Sequence, residues 1–202
     1  MLAGKRVLLG VTGSIAAYQA ADLVGLLKNQ LASVRVIMTR SATRFIAPLT
    51  FEVISEHPVT VDMFDGAGSV VEHIALARAA DVMVIAPATA NIIGKLANGI
   101  ADDMLSTTAL AVTTPLLIAP AMNERMWLNP IVQAGVARLK QFGARFVDPE
   151  YGAMACGGEG WGRLARLETI VSRASALVGD AVRTTGPADP ERTAALIPGA
   201  PV

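Results

Sequence analysis

Five stretches of this chain collect groups that bind anions or move protons. Gly10-Val-Thr-Gly13-Ser14 gathers backbone N–H groups and a hydroxyl where a strand turns into a helix, a place for an anion or the edge of a planar ring. Ser14 serves equally well there as a plain helix N-cap. Thr39-Arg40-Ser41 sets two hydroxyls beside a cation, which suits a phosphate or, again, a helix cap. Pro87-Ala-Thr89-Ala90-Asn91 and Pro120-Ala121-Met122-Asn123-Glu-Arg-Met126-Trp127 each put small residues and an amide after a strand; singly each reads as a turn, together they outline one crevice. The fifth stretch, Tyr151 to Arg163, carries five glycines around Cys156, the only thiol. It reads either as a flexible flap whose Arg163 closes over an anionic substrate or as a loose loop with a buried cysteine.

Of the two histidines, His57 precedes Pro58 in a solvent turn, which leaves His73, ahead of a short helix, as the better base for chemistry near neutral pH. Asp102-Asp103 has the form of a paired-carboxylate acid/base site. Its place at the start of an Ala/Leu-rich helix favours capping instead. With one cysteine and two histidines no Cys/His zinc site can be assembled, and no metal is expected.

The elements that must position these groups follow from the apolar pattern. Arg6 to Val11 is a continuous apolar run, and beyond the Gly13 turn Ala16, Ala20, Leu23, Val24, Leu27 and Leu31 recur with helical spacing. Further buried strands are read at Val34–Met38, Asp81–Ala86, Pro115–Ala119 and Arg145–Val147, with helical stretches between them. Strands alternating with helices predict an α/β fold: a doubly wound, mainly parallel, Rossmann-like or flavodoxin-like sheet in a single domain over residues 1–180. Residues 181–202, with four prolines and two glycines from Arg183 onward, read as a disordered tail, a linker stub or a segment packed on a neighbouring subunit.

Composition narrows the partners. Lys and Arg (17) balance Asp and Glu (17) with no basic run, and aromatic residues are 4% of the chain, so neither a phosphate-backbone footprint nor a base-stacking platform is present and nucleic acid is not expected. Lys5-Arg6 before an apolar run imitates a signal peptide, but the run is short and an amphipathic helix follows. Met104 to Asn123 is uncharged over 20 residues, yet Pro115, Pro120 and four threonines break it, and it reads as the end of a helix and a buried strand rather than a membrane span. A single cysteine suits a reducing cytoplasm.

In order, Gly-Ser-Ile-Ala-Ala-Tyr, Pro-Ala-Thr-Ala-Asn-Ile-Ile-Gly-Lys-Leu-Ala-Asn-Gly-Ile-Ala-Asp-Asp, Pro-Ala-Met-Asn-x-x-Met-Trp and Ala-Cys-Gly-x-x-Gly-x-Gly-Arg resemble the homo-oligomeric flavin-containing cysteine decarboxylases over residues 4–180. Thr89 stands where that family usually has Ser, and Leu164 where Met is common. The resemblance implies bound FMN and conversion of 4′-phosphopantothenoylcysteine to 4′-phosphopantetheine in coenzyme A synthesis. Hydride removal from the thiol-bearing carbon gives a thioaldehyde that accepts the electrons left by CO₂, and the resulting enethiol is then reduced, so there is no net redox change.

By the same resemblance Gly13, Ser14, Ile15, Thr39, Ser41, Thr89, Ala90, Asn91, Ile92 and Ala121 hold FMN, and Asn123 binds the substrate carboxylate. His73 is the base, Cys156 a proton donor, and the flap with Ala155, Gly157, Gly158, Gly160 and Arg163 closes over the substrate. The family implies trimers, which can assemble into dodecamers, with the flavin between subunits and His73 completing a neighbour's site. A C-terminal cysteine ligase is often fused to this domain in bacteria. Two alternatives stand beside this reading: a peptidyl-cysteine decarboxylase of lanthipeptide tailoring, against which the Ala-Cys156-Gly flap argues, and a non-catalytic phosphatase-regulating relative, which usually carries long acidic extensions.

Overall fold

The computed structural model describes residues 1–64, 71–155 and 157–184, with side chains to residue 179. Cys156 therefore lies outside the described residues, as does the tail from 185 on. In chain order the main elements are β1 (Arg6–Val11), α1 (Gln19–Asn29), β2 (Ser33–Met38), α2 (Pro48–Ser55), β3 (Val59–Thr60), α3 (Glu72–Ala79), β4 (Val82–Ala88) and α4 (Ala90–Ala97). Next come α5 (Met104–Ala111), β5 (Leu116–Pro120), α6 (Glu124–Trp127), α7 (Pro130–Gln141), β6 (Arg145–Phe146), β7 (Glu150–Ala153), β8 (Glu159–Arg163) and α8 (Leu167–Thr184).

Six strands form one sheet in the order β3-β2-β1-β4-β5-β6, all pairs parallel. The chain runs outward one way from β1 and then, after α3, restarts beside β1 with β4. The loops leaving these two strands thus diverge, and a crevice opens between them at the carboxyl edge of the sheet. The doubly wound parallel sheet is as the sequence predicts.

Parallel strands covered on both faces need apolar residues at every position, and β4 is buried at all seven. Leu9, Val11, Val36 and Val84 face a core closed by Leu23 and Leu27 of α1, Phe51 of α2 and Ile170 of α8. Leu8, Ile37, Met83 and Ile85 face the other core, closed by Leu76 of α3, Ile92 and Ile93 of α4, Leu105 of α5 and Leu139 of α7. Each fully buried aliphatic side chain contributes roughly 1.5–3 kcal/mol, so both layers hold the crevice loops on a rigid base.

Three expectations need correction. Leu31 is not part of the buried stripe of α1; it lies past the helix end at φ 60 and is 73% exposed, because Gln30 already caps the helix. The edge strand β3 was not among the expected strands; two residues leave no alternation to read. Residues 181–184, assigned to the tail, continue α8. The uncharged stretch from Met104 to Asn123 is α5, β5 and the turn after them, and no helix among the described residues is long and apolar enough to cross a membrane.

Candidate functional site

Two adjoining hollows form the crevice. The first, about 860 Å³, lies between the loops after β1, β2 and β4; the second, about 550 Å³, lies between the β1 loop, the β5 loop and the β7–β8 hairpin. Gly13, Thr89 and Met126 line both.

The expected groups divide between them. Thr39, Ser41, Ala90, Asn91 and Ile92 line the first hollow, and Ser14, Ile15, Ala121, Asn123, Ala155 and Arg163 the second. Gly157, Gly158 and Gly160 line neither, and His73, half-buried on α3, borders neither hollow of its own chain.

Local chemistry explains each placement. Ser14 Oγ accepts the N–H of Ala16 at 3.3 Å and starts a short 3-10 turn. Thr89 Oγ1 accepts the N–H of Ile92 at 3.5 Å and caps α4. Thr39 Oγ1 accepts from Ala42 N–H at 3.3 Å, so the capping alternative holds for Thr39, while Ser41 makes no side-chain cap bond. A Cβ on Gly13 would overlap Ser41, so only glycine lets the β1 and β2 loops approach this closely. Asn123 Oδ1 caps α6 by accepting the N–H of Arg125 at 2.9 Å, which fixes the orientation of its amide.

The polar and apolar parts of the crevice suit a flavin mononucleotide. Hydroxyls and the N-terminus of α4 offer donors to a phosphate, while Ile15, Tyr18 and Met126 line the second hollow at 58%, 57% and 47% exposure, apolar surface of the kind a planar ring covers.

The glycine-rich stretch is an antiparallel hairpin, β7 with β8, rather than a loose loop. Gly162, at φ 128, packs so tightly on the Met122 carbonyl that a Cβ would overlap it, and Met122 N–H donates to Gly162 O at 3.0 Å. Arg163 lies across the bare backbone of Gly152 on the facing strand and forms no ion pair with a described residue.

Several contacts of the lining were not predicted from the sequence. Buried Thr12, directly after β1, bonds twice to the end of β4, donating to Pro87 O at 2.6 Å and accepting from Thr89 N–H at 3.0 Å. Arg40, the residue between the two expected hydroxyls, pairs with Asp62, which holds the Asp62 carboxyl below the usual range. Lys95 Nζ reaches Asp102 at 2.6 Å and Asp103 at 2.7 Å. Burial pushes the Asp103 carboxyl up, but the bond from Lys95 and those from the Ser106 N–H and hydroxyl outweigh it and leave it below its ordinary value. Asp103 also forms a capping box with Ser106, so the capping reading of Asp102-Asp103 is right for Asp103. A hydroxyl directly before Gly13 and a lysine spaced along the same helix as Asn91 were the available signals.

A parallel sheet in this strand order, with a polar, glycine-lined crevice at its reversal point, defines an α/β nucleotide-cofactor protein. The comparison with known proteins is more specific: residues 1–179 match the Flavoprotein family, and the chain belongs to it. It is 51% identical over 175 residues to the coenzyme A biosynthesis bifunctional protein CoaBC of Bacillus subtilis (strain 168), covering 86% of this chain and 43% of that one. It is 45% identical over 172 residues to a probable phosphopantothenoylcysteine decarboxylase of Streptococcus mutans serotype c (strain ATCC 700610 / UA159), covering 84% of this chain and 96% of that one. The chain thus spans less than half of the bifunctional relative. Among solved structures, a PPC decarboxylase mutant complexed with pantothenoylaminoethenethiol superposes with TM-score 0.76 at 34% identity, covering 85% and 97% of the two chains. The FMN-dependent cysteine decarboxylase SpaF superposes with TM-score 0.78 at 36% identity, covering 89% and 99%.

Proposed function

We propose that this chain is an FMN-dependent decarboxylase that converts 4′-phosphopantothenoyl-L-cysteine to 4′-phosphopantetheine, the decarboxylation step of coenzyme A synthesis. The observation that carries it is the meeting, in one continuous crevice, of the Gly13/Ser41/Thr89 cradle with Asn123 and Arg163. Relatives named for this step at 51% and 45% identity support the substrate.

When bound, FMN would supply reversible hydride acceptance, so that the oxidised substrate itself can take up the electron pair that CO₂ leaves behind and the hydride can be returned with no net redox change. The chain's own residues do the rest. Ser41, Thr39 and the N-terminus of α4 hold the cofactor phosphate. Asn123, its amide oriented by the cap bond, holds the substrate carboxylate, and Arg163 adds a cation for the anionic substrate. His73 takes the proton from the substrate thiol as the thiol-bearing carbon loses hydride. That His73 borders neither hollow of its own chain supports the reading in which it serves a neighbour's crevice within a homo-oligomer, a trimer that can assemble into a dodecamer. Cys156 supplies a proton to the enethiol carbon. The hairpin excludes water. The working compartment is the cytoplasm, and the partner is a small molecule rather than nucleic acid or membrane.

The likeness to the solved peptidyl-cysteine decarboxylase EpiD, at 25% identity and TM-score 0.74, favours a second reading, decarboxylation of a peptidyl cysteine. Purified protein with FMN, given the small thiol substrate and a C-terminal cysteine peptide side by side, separates the two by CO₂ release and product mass. Turnover of the peptide alone selects the second reading. A colourless protein that ignores added FMN removes both.

A further inference from the structure

Glu124 has no role in the function described so far, and the Pro-Ala-Met-Asn-x-x-Met-Trp motif around it leaves its position open. Its carboxylate accepts the backbone N–H of Trp161 at 2.9 Å. The carboxylate also sits against the bare backbone of Gly160, where a Cβ would come within 3.0 Å of it. Two residues earlier Met122 N–H donates to Gly162 O at 3.0 Å. The turn from Met122 to Glu124, with Asn123 at its centre, is therefore gripped from both sides by residues 160–162 of β8. Arg163 is the next residue on that strand and lines the same hollow as Asn123.

We infer that Glu124 is a positioning residue of the substrate site: by fixing the register of β8 against the Asn123 turn, it sets where Arg163 lies relative to the Asn123 amide. The inference rests on the proposed decarboxylation for its substrate. Its physical basis does not, since a charged acceptor on a backbone N–H is stronger than a neutral one and immobilises the strand to which it bonds. The backbone bond at Met122 holds one point of the strand; the Glu124 bond adds a second and removes the freedom to pivot about the first.

The test compares Glu124→Ala, Glu124→Gln and Gly160→Ala in the FMN-loaded oligomer. Loss of a charge-assisted bond predicts that Glu124→Ala speeds amide hydrogen exchange at Trp161 about ten- to hundredfold. KM for 4′-phosphopantothenoylcysteine should rise roughly tenfold while kcat stays within about threefold, the pattern of lost binding that is uniform along the reaction. Glu124→Gln, whose amide oxygen still accepts the N–H, should recover most of both effects. Gly160→Ala pushes a methyl group against the same carboxylate and should raise KM alone, adding little on top of Glu124→Ala. Unchanged exchange at Trp161, or lowered thermal stability with unchanged KM, would overturn the assignment. A wild-type protein that binds FMN but turns over only peptide cysteine overturns the small-substrate reading instead, and the exchange difference at Trp161, read on the same samples, reports on the Glu124 bond separately.

Discussion

Thr12 and Thr89 are joined across the point where the sheet reverses: the Thr89 N–H donates to Thr12 Oγ1 at 3.0 Å, and that hydroxyl donates to Pro87 O at 2.6 Å. With Thr12 only 1% exposed, one hydroxyl satisfies two backbone groups that would otherwise face an apolar floor. Thr12→Val keeps the shape and removes both bonds. It should lower the stability of the FMN-free protein by about 2 kcal/mol in urea unfolding. FMN affinity should fall with it, read by quenching of flavin fluorescence, while Thr12→Ser remains near wild type on both.

Gly13→Ala tests the cradle from the other side. Its methyl group would overlap Ser41, so the loop after β2 must move, although the helices packed beneath it need not. The expected protein folds, with a melting temperature within a few degrees of wild type before FMN is added, and purifies colourless. A Gly13→Ala protein that retains FMN at wild-type affinity would mean that Ser41 does not help to hold the phosphate.

The Lys95–Asp103 contact predicts a pH signature. The Asp103 carboxyl is held below its ordinary 3.8, so its contribution is present above that value and is lost as pH falls through the lower folded-state value. For Lys95, burial pulls the ammonium down, but the bonds to Asp102 and Asp103 outweigh it and hold it above its ordinary 10.5. Its contribution is therefore full below 10.5 and is lost only at still higher pH. Asp103→Asn should be less stable than wild type at about pH 6, and the difference should shrink as pH falls below the ordinary 3.8. Chemical unfolding across that range checks it; a difference that stays constant would leave the ion pair without a stabilising role.

The core and the crevice edge were legible because continuous apolar runs ending in Gly-Ser, Pro-Ala-Thr and Pro-Ala-Met-Asn have few other readings. Short-range order carried that information, and the parallel, doubly wound arrangement followed from the alternation, although the strand order did not. What stayed hidden depends on pairing over long separations. Nothing near Glu124 announces a bond to Trp161, and nothing in Tyr151–Arg163 announces a hairpin, since glycine density hides the period-two pattern and the register is set by the close approach of Gly162 to Met122. Lys95 and Asp103 meet only after a turn brings α5 back beside α4. That His73 borders neither hollow of its own chain could not be read from any pattern in residues 71–79.

His73→Asn should reduce turnover by a factor of about 10² to 10⁴ while leaving FMN bound, the usual contribution of a general base. Asn123→Asp keeps a good helix cap, so α6 should stay folded, but it places a like charge against the substrate carboxylate at a cost of several kcal/mol and should abolish substrate binding. If the two residues serve one site from different subunits, mixed oligomers refolded from the two inactive variants contain some intact sites and recover part of the activity. Inactive mixed oligomers would put His73 and Asn123 in the same chain's site.

The last prediction separates small-substrate turnover from release of an unsaturated product. After CO₂ leaves, the enethiol carbon must gain a proton before it can accept hydride, and that proton needs a donor within the closed site. Cys156 follows Ala155, which lines the second hollow, and precedes Gly157 in a stretch with no lysine and no arginine before Arg163. A thiol has a reference pKa of about 8.5, so one whose value no cation lowers is mostly protonated at neutral pH and can act as an acid. A serine hydroxyl is a far weaker acid, so Cys156→Ser should still release CO₂ but stop there. Its product should be lighter by two hydrogens than 4′-phosphopantetheine, as read by mass spectrometry. The solved relative whose mutant holds pantothenoylaminoethenethiol is complexed with an unsaturated thiol of this kind. Saturated product from Cys156→Ser at the wild-type rate would assign the proton to another group and leave the hairpin with the single task of covering the crevice.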